Sequence, residues 1–159
     1  MKYHVRRADR ELKDDKSIEE VLKKGKYATI ALCKNDEPYI VTLSYGYEPA
    51  NRTFYFHAAK QGVKIDFIRS NPDACLTVIE DNGYIQGQCS HSYRSVVARG
   101  VMELVDDENE KRHGTEILIK QLEEKPEIVM ASLEGLKERY EIMQILKFRI
   151  IEMTGKKGK

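Results

Sequence analysis

The chain has 159 residues, 33% of them charged and 41% hydrophobic, and its 27 basic and 26 acidic side chains leave a formal charge of +1. That balance excludes the marked basic excess of a domain whose main task is electrostatic binding of nucleic acid, and no apolar run approaches the ~18 residues that a membrane-spanning helix needs. Three cysteines, Cys33, Cys75 and Cys89, form no C-x-x-C pair, and the N-terminus has no apolar leader, so the pattern fits a reducing cytoplasm and no membrane partner.

The spacing predicts a helix over 15–24, with Ser17 as N-cap, Glu20 three residues on, and Gly25 as the stop. The period then shifts to two. Residues 27–34 read as a strand with Ile30 and Leu32 on one face and Thr29, Ala31 and Cys33 on the other. Asn35-Asp36-Glu37-Pro38 is a turn. Residues 39–47 read as a second strand, carrying Tyr39, Val41, Leu43, Tyr45 and Tyr47 on one face and Ile40, Thr42, Ser44 and Gly46 on the other. A face of small residues admits a flat ligand against the backbone or a closely packed helix, and the strand alone does not choose between them.

Residues 53–58 form a third, aromatic strand, and 62–70 a short helix ended by Asn71-Pro72-Asp73. Residues 74–80 are a fourth strand, 84–89 a candidate fifth, and 93–105 a long alternating one, in which Gly100 marks a bulge or bend that closes a barrel. A helical excursion spans about 106–141: Asp106 and Asp107 sit where the helix dipole favours them, Gly114 weakens the middle, and Pro126 separates a second helix running to about 140. Residues 144–153 return as a strand with Lys147 and Arg149 on a wet face, and the basic tail 155–159 is expected to be disordered. An early helix of about ten residues is too little for a doubly wound parallel sheet. The expected fold is mainly β: one domain over 1–159, a six-stranded antiparallel barrel with peripheral helices.

No metal site is expected, because Cys89 and His91 lack zinc-ligand spacing and the cysteines read as small buried hydrophobes. His4 and His113 lie in polar contexts and read as solvated. At 56–65 a strand ends on His57 and Ala58 and a helix opens at Gly62, Val63 and Lys64. Free backbone N–H groups, the helix dipole and a lysine suit a phosphate there. The same residues also read as solvated lysines, Lys60 and Lys64, beside a structural histidine. Ser90, His91, Ser92, Tyr93, Arg94 and Ser95 gather donors at a strand entry, either as a polar turn or as a set suited to a polar heterocycle or an anion.

In order and spacing, Pro38-Tyr39-Ile40-Val41-Thr42-Leu43-Ser44-Tyr45-Gly46-Tyr47, Phe54-Tyr55-Phe56-His57-Ala58-Ala59, Gly62-Val63-Lys64-Ile65-Asp66 and Asn71-Pro72 resemble the flavin-binding split-barrel superfamily of the pyridoxamine-phosphate oxidases. With Tyr93-Arg94-Ser95-Val96-Val97 and Arg99-Gly100, the chain is most similar to the nitroimidazole-resistance branch, over about residues 20–153. The resemblance implies a six-stranded split barrel that forms a homodimer with FMN in grooves at the subunit interface. Tyr39, Ile40, Val41, Thr42, Leu43 and Ser44 would run along the isoalloxazine, mostly through backbone groups. His57, Ala58, Gly62, Val63 and Lys64 would hold ribityl and phosphate, and Arg94 and Ser95 would reach the cofactor across the dimer.

The chain departs from the superfamily pattern in places. Branch members often carry proline where Thr42 stands. Oxidases proper carry arginine at the positions of Tyr39 and Val63, and substrate arginines near the C-terminus, so pyridoxamine phosphate is not the expected substrate. The resemblance therefore implies an FMN-dependent oxidoreductase that reduces a small planar acceptor such as a nitroaromatic. His57 is the candidate catalytic residue, as a donor of a proton or a hydrogen bond near the ring. The alternatives within the superfamily are a non-catalytic flavin-binding or sensor protein and a haem- or deazaflavin-binding relative, with His57 or His91 as a haem ligand.

Overall fold

The computed structural model describes residues 4–133 and 137–159, the side chains of 137–139 apart. In chain order the elements are β1 (Glu11–Leu12), α1 (Asp15–Lys24), β2 (Tyr27–Lys34), β3 (Glu37–Glu48), β4 (Thr53–Ala59), α2 (Val63–Ser70), β5 (Asp73–Ile85), β6 (Ser90–Val105), α3 (Glu108–Leu122), α4 (Pro126–Leu133), α5 (Lys137–Ile142) and β7 (Met143–Lys157). All pairings are antiparallel. They run β7-β4-β3-β2-β5-β6 and return from β6 to β7, so six strands close on themselves, with the two-residue β1 added as a seventh on β7. Closure leaves few open edges.

The alternation that defines the strands also fills the barrel. Ile30, Tyr45, Phe54, Phe56, Leu76, Val96, Met102, Leu146 and Phe148 are all buried inside it. The aromatic rings meet at its centre: Phe54 lies 5.0 Å from Tyr45, edge-on, and 6.1 Å from Phe148. A second, smaller cluster of Tyr55, Val105, Leu118 and Ile145 sits outside the barrel beneath α3. β4 is therefore buried on both faces, since Phe54 and Phe56 enter the barrel while Tyr55 supports the helix.

Gly100 lies at a register break, as expected. Arg99 pairs with Glu152 and Gly100 with Ile150, which leaves Ile151 as the extra residue on β7. A Cβ at Gly100 would lie 2.0 Å from the Arg149 carbonyl oxygen, so the strands approach this closely only at glycine. The extra residue reverses the parity of β7. Phe148 and Ile150 face the core before it, and Met153 and Gly155 after it.

Five expectations need correction. The N-cap of α1 is Asp14, not Ser17, because its carboxylate accepts both the Ser17 N–H (2.7 Å) and the Ser17 hydroxyl (2.8 Å). The tail is not disordered: β7 continues to Lys157, with Gly155 wedged under Leu12 and Ile18, and the Gly158 N–H donates to the Tyr93 carbonyl. Segments 74–80 and 84–89 are not two strands, since β5 runs through to Ile85 with an irregularity between Asp81 and Tyr84. The cysteines are not buried hydrophobes: Cys89 is exposed in the following turn with φ 45°, and Cys33 and Cys75 are only half-buried. His113 is not merely solvated; its ring lies 2.8 Å from a Glu48 carboxylate oxygen. The second helix, expected over 126–140, is present as α4 and α5, and residues 134–136 between them lie outside the described residues.

Candidate functional site

The geometry begins where β3 and β4 part. The hairpin β2–β3 turns through Asn35 and Asp36, both at positive φ, and keeps strict register from Lys34–Glu37 to Tyr27–Ser44. On its other edge β3 pairs with β4 only through Tyr45–Glu48. β4 pairs with β7 along its whole length, Thr53–Ala59, and beyond Phe56 it keeps only that partner, with His57 opposite Ile145, Ala58 opposite Gln144 and Ala59 opposite Met143. Among the described residues, no strand pairs with this second edge of β3 over 37–44. Alternate N–H and C=O groups of that edge therefore face a cleft. Pro38, which has no N–H to donate, is the one signal in the sequence that an edge lies here.

The side chains of β3 divide by parity. Tyr39, Val41 and Leu43 pack against the core, and the Tyr39 ring lies 5.1 Å from that of Phe67 on α2. Their N–H and C=O groups bond to β2, so the free backbone groups of the edge are those of Ile40, Thr42 and Ser44. Ile40, Thr42 and Ser44 are exposed on the opposite face, and Thr42 Oγ1 lies 3.1 Å from Thr29 Oγ1. The two readings of this small-residue face are both realised, at different points. At Gly46 the backbone of α3 rests directly on the strand, so that a Cβ would lie 2.6 Å from the Ile117 carbonyl carbon. From Ile40 to Ser44 the face is open.

His57 is exposed one step beyond the last β3–β4 pair, and together with Ser44 it lines a cavity of about 420 Å³. The rest of that cavity is largely apolar, with Leu118, Ile119 and Leu122 of α3 and Met143 of β7. The helix is held over it from below. Gly114 sits against the Tyr55 ring, where a Cβ would lie 2.7 Å away, so the glycine that weakens the helix also lets it dock. Burial, with the nearby Glu48 and Glu110 charges, pushes the Tyr55 hydroxyl up to about 12. Gln121 fastens the other end of α3 by donating from Nε2 to the carbonyls of Leu22, Lys23 and Gly25, the last turn of α1.

Ala58 is buried in the barrel and offers only backbone. At the start of α2, Gly62 has φ 124° and no side-chain cap, Val63 is exposed and Lys64 half-buried. Strand parity separates Arg94 from Ser95. Arg94 turns toward α1, where Nε meets Glu80 and Nη1 lies 3.0 Å from Glu20. Lys24 adds a contact of 3.1 Å to the same Glu80. The Arg94 guanidinium is the main cause holding the Glu80 carboxyl below the usual carboxylate range. Ser95 faces the other way, into a cavity of about 240 Å³ that it shares with Arg6, Arg7 and Lys156.

That outer face carries a row of matched positions, Thr42–Thr29–Thr77–Val97–Thr154, across five strands. Tyr27, Ile40, Ile79 and Ile151 leave large apolar side chains exposed. Among the described residues no group of three His, Cys, Asp or Glu side chains is placed to hold a metal, and no helix is long and apolar enough to cross a membrane. His91 pairs instead with Asp81 at 2.6 Å.

The six antiparallel strands β2–β7 form a closed barrel in which β3 keeps an open backbone edge, the architecture of a split barrel. The chain belongs to the pyridoxamine 5′-phosphate oxidase family, whose profile it matches over residues 14–157. A candidate 5-nitroimidazole antibiotic-resistance protein from Bacteroides thetaiotaomicron is similar to it, at TM-score 0.78 and 25% identity, over 93% of this chain and 86% of that one. The fold is also that of a FAD- and haem-binding protein from Mycobacterium smegmatis, with TM-score 0.77 and 15% identity over 94% of this chain and 74% of the other. A flavocytochrome from Azotobacter vinelandii matches at TM-score 0.78 and 21% identity, over 97% and 72%. An uncharacterised protein of Rhizobium meliloti is 40% identical over 60 residues, a match that spans 38% of each chain.

Proposed function

We propose that the chain is a flavoprotein that binds FMN along the open edge of β3 and, as a homodimer, passes electrons to a small planar acceptor such as a nitroaromatic. The observation that carries this is the unpaired backbone of β3 over 37–44, a row of donors and acceptors matched to the heteroatom edge of a flat ring. The residues fit the rest of the molecule. Val63 and Lys64 open α2 with uncapped N–H groups, and Lys64 adds a charge for the phosphate. The small, exposed Thr42 and Ser44 leave room for the ring. The family, and the flavin-binding proteins that share the fold, support a flavin in general. The exposed apolar side chains of the outer face support self-association.

When bound, the flavin supplies the redox chemistry. The chain's own residues do the remainder. The β3 edge orients the ring, and α3 and α4 wall the neighbouring cavity with apolar side chains that keep water from one side of it. His57, exposed on that wall, donates a hydrogen bond or a proton to the acceptor from its ring N–H. Arg94 is committed to Glu80 and Glu20 and holds α1 to the barrel, whereas Ser95 faces the surface proposed to meet the second subunit.

The test is a visible absorbance scan of the purified protein, repeated after adding FMN, then after adding haem. Flavin bands, or uptake of FMN, are expected. A protein that shows neither is not this flavoprotein, and a Soret band in their place assigns haem. His57→Ala should reduce turnover of a nitroaromatic with a nicotinamide donor while FMN binding holds; equal loss of both would make His57 an anchor.

A further inference from the structure

The cavity that Ser44 and His57 share is polar on one side only. The two residues take the next positions on β3 and β4 past the last pair of those strands, Tyr45 with Phe56. Tyr45 and Phe56 point into the barrel, so their neighbours Ser44 and His57 point out of it, and both are exposed. Among the described residues, neither side chain has a hydrogen-bond or ion-pair partner. Thr115, the remaining polar residue of the lining, has its hydroxyl engaged by the Lys111 carbonyl at 2.7 Å.

The opposite walls are aliphatic: Leu118 and Leu122 of α3, Val129 and Leu133 of α4, and Met143 of β7. Charged side chains make up 33% of the chain, yet among the described residues none lines this cavity. The charges of α3 pair with one another instead, Arg112 with Glu108 at 2.7 Å and Lys120 with Glu116 at 2.5 Å. The volume, about 420 Å³, falls within the range of about 300–1,000 Å³ typical of small-molecule sites. An apolar cavity of about 150 Å³ is enough for benzene, so this one has room for a ring and an apolar arm.

We propose that the ligand of this cavity is an uncharged molecule with a carbonyl or nitro oxygen at one end and an apolar arm at the other. The oxygen accepts from the Ser44 hydroxyl and the His57 ring N–H, and the arm lies against α3 and α4. A carboxylate, phosphate or sulfonate on the arm is rejected, because burial strips its water and the walls offer no cation in return. The inference rests on the reading of this cleft as the acceptor site and deepens it: the acceptor is neutral and longer than one ring. Val129 and Leu133 then set specificity, and α4 has no fully buried residue, so they can be exchanged without opening the core.

Two fluorescent probes that share a skeleton test this without a flavin readout. N-phenyl-1-naphthylamine is neutral, and 1-anilinonaphthalene-8-sulfonate adds one sulfonate. Titrated into the full chain as purified, the neutral probe is expected to bind at least about tenfold more tightly. Leu122→Trp, which fills the cavity, should weaken the neutral probe by about tenfold or more. Val129→Lys and Leu133→Lys each place a cation on the wall and should shift the preference toward the sulfonate by about tenfold. Ile128→Lys, at a position 61% exposed on α4 and outside the lining, should leave it unchanged. 1-Nitronaphthalene should displace the neutral probe, and Ser44→Ala should weaken that displacement several-fold. Equal or tighter binding of the sulfonate to wild type overturns the proposal. So does a neutral-probe signal that survives Leu122→Trp, a preference that neither lysine on the wall shifts, or a nitroarene that displaces nothing. A chain that takes up no flavin yet keeps the preference loses the flavin reading and retains this ligand class, whereas a flavoprotein without the preference loses only the ligand class.

Discussion

Gly46→Ala is the smallest change that sets β3 against α3. The added Cβ would lie 2.6 Å from the Ile117 carbonyl carbon, 2.6 Å from the Leu118 nitrogen and 2.7 Å from the Ile117 oxygen. These are backbone atoms of a helix, so no side-chain rotation relieves the overlap. To restore ordinary contact at 3.4 Å the helix must rise by about 0.8 Å. A shift of that size loosens Leu118 from the cluster it forms with Tyr55, Val105 and Ile145, and strains the three hydrogen bonds by which Gln121 ties α3 to α1. Overpacking of this kind costs about 1–3 kcal/mol. In a domain of this size each kcal/mol lowers the unfolding midpoint by about 2–4 °C. Circular dichroism melts should therefore show Gly46→Ala unfolding roughly 2–12 °C below wild type. A midpoint within 1 °C of wild type, the precision of about 1 °C being that of the melt, would refute the claim that glycine is required for this contact.

Two further perturbations follow from the same structure. The Leu22 carbonyl accepts both the Tyr45 hydroxyl at 2.6 Å and Gln121 Nε2 at 3.0 Å. Tyr45→Phe alone should cost about 1 kcal/mol, because Gln121 still satisfies the buried acceptor. Combined with Gln121→Leu, the loss should exceed the sum of the single losses by about 1 kcal/mol in a denaturant double-mutant cycle, and simple additivity would contradict the shared-acceptor reading. Glu80, about four-fifths buried beside Arg94, has its carboxyl lowered by that guanidinium first and by Lys24 with it. A lowered carboxylate stabilises the fold above its unfolded value of about 4.3 and loses that contribution as pH falls through the lowered folded value. Glu80→Gln should therefore unfold earlier than wild type at neutral pH, and the two melting curves should converge on acidification; a gap that is independent of pH would remove the ion pair as its cause.

Local chemistry made much of the barrel readable. The alternation of Ile30 and Leu32 against Thr29 and Ala31 located β2 and its inward face. The Asn35-Asp36 pair located the hairpin, and Gly100 located the closure. Other features were only partly legible for the same local reason. Gly114 reads as a weakness within a helix, although its value lies in the Tyr55 ring beneath it. Arg94 and Ser95 read as one polar cluster, although adjacent strand residues point to opposite faces, and Arg94 is taken by Glu80 and Glu20 from distant segments. Nothing in Ile150-Ile151-Glu152 announces an extra residue, because the bulge exists only relative to β6.

By itself, then, the order of residues determined which segments extend, which coil, and which side chains each strand turns inward, since those follow from a period of two or of 3.6 and from turn residues that act over a few positions. Only the tertiary structure decided that β4, paired with β7 throughout, parts from β3 after the Tyr45–Phe56 pair, and so that 37–44 keeps an open backbone edge. Pairing and burial of that kind depend on strands and helices far apart in the chain, and no local periodicity encodes them.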